Sequence, residues 1–93
     1  MECKRVVFSG HAVRRMFERG ITGTEVLDVV QHGEVITEYP EDEPFPSFLM
    51  LGIAGDRPLH VVVAVDTESQ MCYIVTVYEP DPNSWTIDFR KRR

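Results

Sequence analysis

The chain has 93 residues, a hydrophobic fraction of 43% and a formal net charge of −5, which allow one domain (residues 1–93) with one core and exclude a second. The acid excess argues against indiscriminate nucleic-acid binding, and the longest apolar runs, at residues 48–53 and 61–65, are too short to span a bilayer. The charged start Met1-Glu2-Cys3-Lys4-Arg5 lacks the apolar core of a signal peptide, and Cys3 and Cys72 stand far apart at no metal-ligand or redox spacing, so a cytoplasmic location without membrane contact is expected.

Residues 3–8 (CKRVVF) read as a short strand. Ser9 stands as the N-cap of a first helix and Gly20 as its stop, where a left-handed C-terminal residue would let Ile21 fold back on Met16. Helical spacing sorts the side chains between them. His11, Arg14, Arg15, Glu18 and Arg19 share one side, and Ala12, Val13, Met16 and Phe17 share the other. The polar side sets an imidazole, which titrates near neutrality, beside three guanidinium groups. A solvated helix face accounts for this pattern, and so does a site for a phosphate-bearing substrate. Glu18, at i,i+4 from Arg14, would neutralise part of the positive field.

Thr22 and Glu25 then stand at capping-box spacing, and Val26, Leu27, Val29 and Val30 form the apolar stripe of a second helix that ends at Gly33. His32 suits the role of a C-terminal helix cation.

The second half reads as β. Val35, Thr37 and Tyr39 alternate, after which Pro40, Pro44 and Pro46 break any ladder and define an acidic loop. Residues 47–54, 59–66 and 71–79 read as three antiparallel strands, separated by the GDRP and TESQ turns. Pro80 and Pro82 end the last strand, and Trp85 and Phe89 are expected to anchor a terminal turn, with Trp85 plugging the sheet edge or else stacking on a base. Cys72, inside the last strand, is expected as buried packing. The fold class is α+β, two N-terminal helices covering one face of a three- to four-stranded antiparallel sheet.

Charge is unevenly placed. Residues 34–43 hold five acids and no base, and the rest of the chain holds ten of each. The bases cluster at Lys4-Arg5, on the first helix and in the closing Arg90-Lys91-Arg92-Arg93, a tail expected to be a solvated, disordered end. The acidic loop, with Tyr39 beside it, suits a basic partner segment or serves only to solubilise. His11, His32 and His60 have no recognised ligand spacing, so neither a metal nor another cofactor is expected, and the serines stand in turn or cap contexts that support no nucleophilic mechanism.

In order, the segments HAVRRMFERGIT, PSFLMLG, RPLHVVVAVD and IVTVYEPDPNSW resemble the bacterial domain of unknown function 4258, a family similar to the RelE and BrnT toxins of toxin–antitoxin pairs. The resemblance implies a RelE-like fold and metal-independent cleavage of RNA, free or on the ribosome. It also implies a cognate antitoxin, a small DNA-binding or zinc-ribbon protein. Such cleavage requires a base for the ribose 2′-hydroxyl, positive charge around the phosphorus and an acid for the leaving oxygen. His11 and His60 suit proton transfer, Arg15 and Arg19 the phosphate, and Tyr78 the role of acid or orienter. Arg14, Arg57 and Arg90 could add phosphate contacts, although each also reads as an ordinary surface residue.

His60 shares a strand face with Val62 and Ala64, opposite Leu59, Val61, Val63 and Val65. Whether it meets Tyr78 depends on register. If Asp66 pairs with Met71 the two fall on opposite faces, and if Val65 pairs with Tyr73 they stand directly opposite each other. A β-bulge at the loop would decide between these.

Overall fold

A computed structural model describes residues 1–93, in the order β1 (Arg5–Phe8), α1 (Gly10–Arg19), α2 (Gly23–His32), β2 (Glu34–Tyr39), β3 (Ser47–Ala54), β4 (Arg57–Asp66) and β5 (Met71–Tyr78). The helix ends follow the local chemistry. The Ser9 side chain accepts the Ala12 N–H at 3.0 Å, and its hydroxyl donates to the Val75 carbonyl at 3.2 Å, so one residue caps α1 and fastens it to β5. Gly20 ends α1 at φ 63°, and the next amide, that of Ile21, returns to the Met16 carbonyl at 2.9 Å and buries its side chain. The capping box of α2 is complete, with Thr22 and Glu25 each serving the other's backbone N–H.

The sheet has five strands in the order β1-β5-β4-β3-β2, mixed rather than wholly antiparallel. β2 to β5 form the expected meander. The two helices carry the chain across the sheet, so that β1 lies parallel beside β5, with Val6 opposite Cys72. That placement corrects the reading of the cysteines as unconnected. Cys3 and Cys72 are joined in a disulfide, because parallel pairing brings the start of the chain beside the start of β5 despite a separation of 69 residues.

One face of the sheet, carrying Leu59, Val61, Val63, Ile74 and Val77, meets Ala12 and Met16 of α1 and Val26, Val29 and Val30 of α2. Gly52 permits the close approach of α2, since a Cβ there would stand 2.7 Å from the Val29 side chain. The first helix is rolled from its expected setting: Val13 is 52% and Phe17 90% exposed, and Arg19 instead reaches over the sheet to donate to the Val77 carbonyl at 3.2 Å. The 3.6-residue period defined a stripe, and packing chose its edge. No helix is long and apolar enough to cross a membrane.

The opposite face carries Ser47, Leu49 and Leu51 of β3 with His60, Val62 and Ala64 of β4. It has no helix over it. The acidic loop lies across one part, and residues 80–93 across another. That terminal segment is an ordered turn rather than a free tail. An isolated bridge joins Trp85 to Arg92, and the Arg93 amide donates to the Ser84 carbonyl at 2.9 Å.

Candidate functional site

The β4–β5 pair contains both of the registers its sequence allows. Near the turn Asp66 opposes Met71 and Ala64 opposes Tyr73; between Val62 and Val63 the register shifts by one residue at a bulge on Val75, and beyond it His60 stands directly opposite Tyr78. The imidazole and the phenol therefore share the helix-free face.

His60 is 0% exposed. Its Nε2 lies 2.9 Å from the Phe89 carbonyl, which can only accept, so Nε2 carries the proton and Nδ1 is the bare nitrogen that receives the Tyr78 hydroxyl at 3.2 Å. Trp85 closes over the ring edge-on, centroids 4.4 Å apart, and the Arg92 guanidinium lies 5.0 Å from the Trp85 centroid. Burial holds the imidazole below its ordinary pKa, with the Phe89 carbonyl opposing this and the Arg92 charge adding to it. Burial likewise holds the Tyr78 phenol above its ordinary value, with Tyr39 acting in the same direction. The result is a neutral histidine whose one basic nitrogen is already occupied and roofed by an indole. Trp85 thus plugs the middle of a face over β4, not the sheet edge.

The other expected catalytic groups lie elsewhere. His11 is exposed on α1, the helix that packs on the face carrying Ile74 and Val77, so the sheet lies between it and His60. Arg15 donates to Glu18 at 3.1 Å, taking the acid that its spacing had offered to Arg14. Arg14 is exposed and has no ion-pair partner. Arg19, on the same helix, is drawn to the Val77 carbonyl.

Arg57 is a brace rather than a free phosphate ligand. It donates to the Arg19 and Gly20 carbonyls at 3.3 and 3.0 Å and to the Glu25 carboxylate at 3.1 Å, and so ties the end of α1 to the start of α2. Glu25 sits below the usual carboxylate range, chiefly because the Thr22 backbone N–H bonds it and additionally through Arg57. Arg90 pairs with Glu34 and with Asp88, and the Glu34 contact holds its pKa up. Among the expected phosphate ligands, Arg15, Arg57 and Arg90 are thus paired with carboxylates and Arg19 is held by a carbonyl. His32 lies 3.9 Å from Asp28, one turn back on its own helix, and no group of three or more histidines, cysteines or acids is placed to hold a metal ion.

The acids behave differently. Glu38, Glu41, Asp42 and Glu43 are exposed, and none has a cation within ion-pair distance; Asp42 instead accepts the buried Ser47 hydroxyl, which fixes the loop to β3. Phe45 continues this loop and stacks on Tyr73 with centroids 5.6 Å apart and planes 6° from parallel. Sequence reasoning did not single out Phe45, Tyr73 or Arg92. Alternation did contain the signal for Tyr73, since it places Ala64 on the face of His60, and a small residue there leaves room for a neighbouring ring.

The model of the family described as a domain of unknown function, DUF4258, matches residues 8–79. The chain belongs to that family. No curated protein and no solved structure matches it.

Proposed function

We propose that this chain is a RelE/BrnT-like toxin-family domain that works by holding a protein partner, with the acidic loop Pro40–Pro46 as the holding surface. One observation carries the reading: the groups a metal-free nuclease needs are divided between the two sides of the sheet, with Arg15, Arg57 and Arg90 ion-paired, whereas Glu38, Glu41, Asp42 and Glu43 stand exposed with no cation against them. Unpaired charge on a rigidly anchored loop suits recognition of opposite charge and speeds encounter. The fitting partner is a protein with a basic segment, such as a cognate antitoxin of the small DNA-binding or zinc-ribbon type.

The test is binding of the purified chain to the product of the adjacent reading frame. Changing Glu41→Gln, Asp42→Asn and Glu43→Gln together should weaken the complex at least tenfold and flatten its salt dependence. Unchanged affinity in that triple variant would overturn the assignment of the loop.

A second reading is favoured by the His60–Tyr78 hydrogen bond. In it, RNA is cut without a metal on the helix-free face after residues 80–93 have lifted off the imidazole, with Nδ1 of His60 taking the ribose 2′-hydroxyl proton and the Tyr78 hydroxyl protonating the leaving oxygen. His11 and Arg15 have no part. Incubation with RNA and with translating ribosomes separates the two: cleavage that His60→Ala abolishes and His11→Ala retains would establish the second reading.

A further inference from the structure

Beneath the acidic loop the helix-free face holds an open cavity of about 500 Å³. Its floor is Val62 and Ala64 of β4 with Val75 of β5, and its wall is the stacked pair Phe45 and Tyr73. The lining is thus mainly aliphatic and aromatic, with Asp42 and Glu43 as its charged members and one Asp42 oxygen held by the Ser47 hydroxyl. Each part has a local cause. Ala64 is small where its neighbours along the strand face, His60 and Val62, are larger, so the floor dips there. The bulge at Val75 bends β5, and Pro44 and Pro46 stiffen the loop that roofs the space. Cavities of this size suit a compact group with one or two polar contacts.

The charge in the lining selects the occupant. An anion would meet two carboxylates, neither of which has a cation to neutralise it. The three arginines of the chain's own tail are engaged elsewhere: Arg90 on Glu34, Arg92 over Trp85 and Arg93 on the Pro82 carbonyl. We infer that the cavity is a socket for an aromatic or branched apolar side chain of a partner protein, with a lysine or arginine next to it in the partner's chain reaching Asp42 and Glu43. The inference deepens the partner-binding reading and rests on it for the source of the side chain. It adds that recognition requires an apolar anchor as well as charge.

The experiment uses the whole chain and two kinds of probe. In methyl and amide NMR titrations, phenethylammonium should shift the resonances of Val62, Ala64, Tyr73 and Val75. It should bind at least fivefold more tightly than 2-phenylethanol, with phenylacetate weakest. Ala64→Phe, which fills the floor, should abolish these shifts, and Glu43→Gln should bring the cation's affinity toward the alcohol's. Equal binding of the three probes, or shifts centred elsewhere, would overturn the inference. Tyr73→Ala removes the wall without adding bulk and should also lose the probe, which covers the case in which Ala64→Phe disturbs the fold.

The partner supplies the second arm. Ala64→Phe, with every acid intact, should weaken the complex tenfold or more. If that variant binds the partner like the native chain while the triple charge variant does not, the socket is wrong and the loop reading stands. If phenethylammonium occupies the cavity but the adjacent-frame protein binds no form of the chain, the partner reading fails and a cation-selective cavity remains.

Discussion

The two faces of the sheet are closed by different physics. Under the helices, thirteen buried residues, all hydrophobic and two of them (Met50 and the disulfide-bonded Cys72) carrying sulfur, form one cluster held mainly by contact. On the other face, cover comes from particular bonds: His60 to the Phe89 carbonyl and Tyr78, Ser47 to Asp42, Phe45 on Tyr73, and Arg92 on Trp85. Contact of the first kind needs no particular partner, while the second kind leaves a cavity bordered by unpaired carboxylates under the acidic loop. The helical face thus carries most of the stability, and the proposed recognition falls to the face without helices.

The contrast is broken most severely from the helical side. Ile74 is 0% exposed in the middle of β5 and packs in the helix-side cluster, so Ile74→Ala should cost about 2–5 kcal/mol in denaturant unfolding. Val75→Ala, one residue along but on the bulge and 40% exposed, should cost a small fraction of that. Similar losses for the two would show that the faces share the load.

Those two neighbours also mark how far the sequence could be read. Capping signals at Ser9, Gly20, Thr22 and Glu25 are local, and local chemistry placed both helices within a residue. Alternation in β4 assigned His60 to the correct face for the same reason. What escaped depends on distant pairing. The parallel docking of β1, the disulfide and the roll of α1 that exposes Phe17 are set by which segments meet, and no short window contains that. The candidate site suffered most, since a strip of cations is visible in sequence, whereas the carbonyls and carboxylates that absorb Arg19, Arg57 and Arg90 are not.

A smaller effect is expected at the sheet's β1 edge. The Cys3–Cys72 bond closes most of the chain into one loop, and restricting the unfolded chain in this way is worth about 2–4 kcal/mol for typical disulfides. Cys3→Ser should lower stability by about that amount and raise hydrogen exchange in β1, while amides around His60 and Trp85 keep their protection. Loss of protection on both faces alike would mean that the terminal segment depends on the edge rather than on its own bonds.

The smallest effect is a pH dependence, and it sharpens the comparison because only the helix-free face buries an imidazole. With its folded pKa depressed by burial, His60 binds a proton more readily when the chain is unfolded. Its contribution is therefore complete above the ordinary value of about 6.5 and declines as pH falls through 6.5 toward the lower folded value. Glu25 and Asp88 have depressed carboxyl pKa values, the first through the Thr22 backbone N–H and the second through the Thr86 hydroxyl, so their contributions fade only below the usual carboxylate range. Unfolding free energies at pH 7.5 and 5.5 thus isolate the imidazole. The native chain should lose more stability over that interval than His60→Gln, whatever the variant's starting stability. Parallel slopes would mean that water already reaches His60, and that Trp85 and Phe89 do not seal the face.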